Sequence, residues 1–204
     1  MGGVAQAFLW RWGLEGLANV TGSQFMWVLL TFGVSWASAG GRLAPGTAAG
    51  GLTGLALIAS YYAMQWVADG RHSALAQFSK TGGVAWTMAA LGGGAGIGLL
   101  GALASMEARE SPRLKALGIT TPAVIVMVGP PMWLFINSEF LDGAGLLSAV
   151  AVFVLVGGVL LLVAARACGP IACLQALALS IGFGAAGLAG LLTLQTLGWL
   201  YLTF

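Results

Sequence analysis

The sequence predicts an all-α protein, a polytopic transmembrane helical bundle of about seven spans (range six to eight), on three observations. Hydrophobic residues make up 59% of the chain and charged residues 7%, with a mean hydropathy of +0.95, a composition outside the range of water-soluble domains. Apolar runs recur along all 204 residues with only short polar connections, and at about 20 residues per span they leave no length for a separate soluble domain. Residues 1–204 therefore read as a single integral membrane domain. The third observation is glycine, 33 residues of it, much of it inside the apolar runs, where it lets neighbouring helices approach closely and forms Gly-rich packing faces.

The first segment, 4–20, carries Arg11, Glu15 and Asn19 at i, i+4 and i+8 on one helical face, which should point inward; Arg11 and Glu15 are also spaced to pair. The alternative is an interfacial helix lying on the membrane. After Thr21-Gly22-Ser23 a second helix, 24–39, bears Trp27, Phe32 and Trp36, and Gly40 to Pro45 is a loop by its Gly and Pro content. The third helix, 46–68, opens with Gly50, Gly51 and Gly54 and ends in Tyr61, Tyr62, Trp66 and Asp69. Its first half suits tight packing. Tyr62, Trp66 and Asp69 share one face at i, i+4 and i+7, either as part of a site or as an interfacial aromatic belt with a solvated carboxylate.

The fourth helix, 82–106, contains Leu91-Gly92-Gly93-Gly94-Ala95-Gly96-Ile97-Gly98. No strand is predicted before this run and no Lys-Ser or Lys-Thr follows it, so a phosphate loop is excluded and Gly94-x-x-x-Gly98 reads as a packing face. The most charged connection, 107–115, holds Arg109, Arg113 and Lys115. The fifth helix, 118–135, is expected to break at Pro130-Pro131, because proline removes a backbone donor and clashes with the preceding turn. The sixth, 144–165, is a plain apolar span ending at Arg166. The rest reads as one helix, 171–192, continuing or kinking near Gln195.

Several function classes are excluded or left without a signal. The formal net charge of +2 is small and scattered, with no basic stripe, so no nucleic acid partner is expected. His72 is the single histidine, with no second ligand at metal spacing, and Cys168 and Cys173 flank Gly169-Pro170 at a spacing that is neither a redox nor a zinc motif. No metal and no cofactor are expected. The N-terminus lacks the apolar region and small-residue cleavage site of a removed signal peptide. With seven spans, Arg42, Arg109, Arg113, Lys115 and Arg166 fall on one side and Arg71 and Lys80 on the other, which predicts a cytoplasmic N-terminus in a bacterial inner membrane.

The candidate site centres on the stretch from Gly129 to Asp142, where Trp133, Phe135, Glu139 and Asp142 follow the two prolines. Carboxylates near a broken membrane helix tend to mark pathways and sites; a solvated loop is the other reading of Glu139 and Asp142. The same topology puts Asp69 on the membrane face of Glu139 and Asp142. The candidate acids are thus Glu139, Asp69, Asp142 and the deeper Glu15, and the candidate lining is Tyr62, Trp66, Trp133, Phe135, Trp27 and Tyr61. A carboxyl desolvated beside aromatic rings is held protonated and acts as a general acid, and the ring faces stabilise a cation formed nearby. That combination suits acid-initiated cyclisation of a long isoprenoid chain drawn from the bilayer, a metal-independent terpene cyclase of isomerase or lyase type.

The placement of Trp27 to Gly33, of Gly50-Gly51-Leu52-Thr53-Gly54 through Ser60-Tyr61-Tyr62-Ala63-Met64, and of Gly92 to Ala104 resembles small actinobacterial integral membrane proteins. It is broadly similar to the membrane terpene cyclases of bacterial indole-sesquiterpene pathways, of the drimentine and xiamycin type. The likeness covers roughly residues 4–166 and implies protonation-started cyclisation of a farnesyl chain on an indole-bearing molecule; it carries no motif that singles out the acid. Two other functions fit the same features, a substrate-binding membrane subunit of a small-molecule transporter and a non-catalytic structural membrane protein.

Overall fold

The computed structural model describes residues 24–69, 76, 79, 83–136 and 143–196, with side chains described over 26–63, 66–67, 76, 79, 83–84, 87–129, 150–182 and 185. These residues form helices and no strand: α1 Gln24–Ala39, α2 Leu43–Asp69, α3 Gly83–Ser105, α4 Pro112–Ile136, α5 Gly143–Cys168 and α6 Pro170–Thr196. Segment 4–20 lies outside them.

Local chemistry explains the boundaries. The α1–α2 turn uses Gly40 and Gly41 at φ 53° and 79°, a left-handed conformation that glycine adopts without penalty. The turn is shorter than the expected Gly40–Pro45 loop, because Pro45 falls in the first turn of α2, where no backbone donor is needed. Ser111 and Pro112 start α4, with Lys115 N donating to the Ser111 carbonyl at 3.0 Å. The helix thus begins six positions before the expected 118, and Arg113 and Lys115 belong to it rather than to the connection. Gly169, at φ 87°, donates to the Ala165 carbonyl at 3.0 Å, and Pro170 opens α6.

The expected break at Pro130-Pro131 is corrected: α4 is helical through both prolines to Ile136. Each proline removes only its own donor, its fixed φ suits a helix, and neighbouring helices can satisfy the freed carbonyls. The tail is likewise one helix, α6, through Gln195.

α2 packs antiparallel on α3 along most of its length, α1 lies against α2, α3 and α4, and α5 and α6 both pack on α4. Two cores result. Val126 and Phe153 are enclosed with Met26, Leu29, Val150 and Val156, while Phe32, Ala104, Ile119, Ala164 and Cys173 form the second with Leu100 and Leu160.

Three stretches, Leu43–Ala63, Thr87–Ser105 and Val150–Cys168, are long and apolar enough to cross a membrane; Met26–Ala39 and Pro170–Gly182 are shorter apolar helices. The described residues therefore give three candidate spans. Only 17% of Val150–Cys168 is buried, so its apolar side chains point outward, the arrangement expected where lipid replaces water as the solvent. The described residues are all-helical and fit a membrane location.

Candidate functional site

Antiparallel packing sorts the connections between two ends. At one end the backbone N–H of Gly41 donates to Ser105 Oγ at 3.0 Å, and Lys115 Nζ donates to the Met106 carbonyl at 2.7 Å. Cys168 lies within electrostatic reach of Lys115, which brings the α5–α6 turn to the same place. Arg42, Arg109, Arg113, Lys115 and Arg166 all belong to this basic end, with Glu107 and Glu110 as its acids. The opposite end receives the finish of α2 at Asp69 and of α4 at Ile136, and the start of α3 and α5.

Of the candidate site residues, the described ones, Trp27, Tyr61, Tyr62, Trp66, Asp69, Trp133 and Phe135, belong to helix ends at this second end. α2 stays helical to Asp69, so positions 62, 66 and 69 keep one register along it. The rings of Tyr61 and Tyr62 meet edge to face, with centroids 5.3 Å apart and planes at 76°. Tyr61 and Trp66 are exposed, while Tyr62 and, on the first turn of α1, Trp27 are half-buried. Trp133 and Phe135 occupy the last turn of α4. Glu139, Asp142 and Glu15 lie outside the described residues, as do the side chains of Asp69, Trp133 and Phe135. The described helices thus bring the finish of α2 and the finish of α4 to one end, with α1 and α3 each packing on both.

A polar seam in the interior joins α4 to α6, beyond the residues singled out from the sequence. Thr121 Oγ1 and Ser180 Oγ lie 2.8 Å apart and Thr120 Oγ1 3.4 Å from the same Ser180 oxygen, which in turn donates to the Ala176 carbonyl at 2.8 Å. Thr120 and Ser180 are buried, as are Thr31 and Ser35 on α1, where Ser35 Oγ donates to the Thr31 carbonyl at 2.7 Å. Ser180 and Ser35 each return their hydroxyl to a carbonyl four residues back, which makes them cheap to bury in lipid, and the Thr121–Ser180 contact joins α4 to α6. Their signal in the sequence was the Thr-Thr-Pro inside an apolar run. Among the described residues no group of three His, Cys, Asp or Glu is assembled.

Compared with known protein families, curated proteins and solved structures, the chain gives no match.

Proposed function

We propose that the chain is an integral membrane protein that takes a lipophilic substrate at the end where α2 and α4 finish, and cyclises its isoprenoid chain by protonation. The observation that carries this is the common finish of α2 at Asp69 and of α4 at Ile136, three residues before Glu139 and six before Asp142 in the sequence. It supports a meeting of carboxyls with Tyr61, Tyr62, Trp66, Trp133 and Phe135. In the proposed reaction a protonated carboxyl, Glu139 first among the candidates and Asp69, Asp142 and Glu15 after it, transfers its proton to a terminal alkene or epoxide. The resulting cation is attacked by the next double bond of the chain, forming a ring. Loss of a proton from the cyclised cation completes an isomerisation, and the aromatic faces stabilise the positive charge while it moves. The finer topology belongs to the same proposal: seven spans in a bacterial inner membrane, with the basic end and the N-terminus in the cytoplasm by the positive-inside rule.

The test is a product assay. Membranes containing the protein are incubated with farnesylated indoles and with their terminal epoxides, and analysed by chromatography coupled to mass spectrometry. A new peak of unchanged mass, lost in Glu139→Gln or Asp69→Asn, is the expected result; no new peak from any prenyl substrate rejects the cyclase.

A further inference from the structure

α5 presents Leu155, Val159 and Leu162 on one exposed face, 68%, 51% and 63% accessible, and Arg166 continues that stripe at the basic end, also exposed. From Leu155 to Arg166 an α-helix rises about 16 Å, close to half of the roughly 30 Å hydrocarbon thickness of a bilayer. The stripe therefore has the length of one acyl chain, and its cation stands at headgroup depth. Across the tight Gly169-Pro170 turn, α6 repeats the pattern with exposed Ile171, Leu174 and Ile181. The turn end is basic beyond Arg166: Arg42, Arg109 and Arg113 are exposed there, and Lys115 lies near Cys168, against Glu107 and Glu110 as the described acids of that end. Among the described residues none of these arginines is held in an ion pair.

We infer that the hairpin of α5 and α6 binds an anionic phospholipid, its phosphate on Arg166 and one acyl chain along Leu155, Val159 and Leu162. Charge complementarity selects an anionic over a zwitterionic headgroup, because among the described residues the cations at this end outnumber its acids. The apolar stripe selects a lipid over a free phosphate ester. The inference requires only that α5 crosses a membrane and is independent of the cyclisation proposed above.

The experiment is native mass spectrometry of the detergent-solubilised full chain, titrated in parallel with phosphatidylglycerol, with phosphatidylcholine of the same acyl chains and with glycerol 3-phosphate. The wild type should retain phosphatidylglycerol in preference to phosphatidylcholine, and glycerol 3-phosphate weakly. Arg166→Gln should lower phosphatidylglycerol retention about fivefold, the effect of one cation at an anionic lipid surface, and leave phosphatidylcholine unchanged. Arg166→Lys should restore most of it, which separates charge from folding, and Leu162→Ser should weaken both lipids. Equal retention of the two lipids by the wild type, undiminished phosphatidylglycerol binding in Arg166→Gln, or glycerol 3-phosphate binding as strong as the lipid would each overturn the inference.

Discussion

The α2–α3 seam and the surroundings of α4 are both tightly packed, and they are built by opposite means. In the seam, Gly46, Gly50 and Gly54 of α2 interleave with Ala90, Gly94, Gly98 and Ala102 of α3, each series spaced by four residues. A Cβ added to Gly98 would stand 2.9 Å from the Gly50 Cα, and one added to Gly46 would stand 2.7 Å from the Ala102 Cβ. Backbone meets backbone, and the contact is close because side chains are absent. Around α4 the same closeness comes from interlocking side chains. Met127 fills the space over Gly157, Val126 meets Phe153, and Thr120 and Thr121 reach Ser180. Helices in lipid gain little from the hydrophobic effect between them, so each interface must rely on fit or on hydrogen bonds. At its glycines the seam relies on fit; α4 uses both fit and hydrogen bonds.

The difference predicts different responses to substitution. Gly50→Leu should have the largest effect, at least about 3 kcal/mol, because the obstruction is the rigid backbone of Gly94 and Gly98. Thermal unfolding in mild detergent would show it, and a wild-type midpoint for Gly50→Leu would mean that α2 and α3 are not in close contact. Ser180→Ala should cost about 1 kcal/mol by leaving the Thr121 hydroxyl without its interhelical partner. In a double-mutant cycle with Thr121→Val most of that cost should disappear, whereas simple additivity would show that the two hydroxyls do not communicate. The smallest effect has the opposite sign. Gly96 is on α3 but its outer side is open, so Gly96→Ala should raise stability by about 0.5–1 kcal/mol through helix propensity alone. A loss at Gly96 comparable to that at Gly50 would erase the distinction between the two faces of α3.

The seam was legible in the sequence because small residues at a fixed spacing of four have one structural meaning inside an apolar run: Gly94-x-x-x-Gly98 reads as a packing face and forms one. The α4 neighbourhood was much less so. Its prolines, Pro122, Pro130 and Pro131, suggest interruption, yet Pro122 is fully buried in an unbroken helix. Whether a missing donor breaks a helix depends on what the neighbouring helices offer the freed carbonyl, and that is tertiary information. Thr121 and Ser180, fifty-nine residues apart, could be paired only once the order of helices around α4 was known. The candidate site shares this difficulty. Hydropathy and the alternation of spans place Asp69 and the finish of α4 at one end, as the helices do, but they do not fix the distance between a carboxyl after α2 and one after α4.

That distance is what cyclisation at this end depends on, and cross-linking in native membranes measures it directly. In a Cys168→Ser, Cys173→Ser background, Asp69→Cys and Glu139→Cys should be joined by a short bis-maleimide as efficiently as Arg42→Cys and Ser105→Cys, a control pair at the basic end beside the 3.0 Å bond from Gly41 to Ser105. Efficient joining of the control pair with none between positions 69 and 139 would contradict a shared carboxyl site.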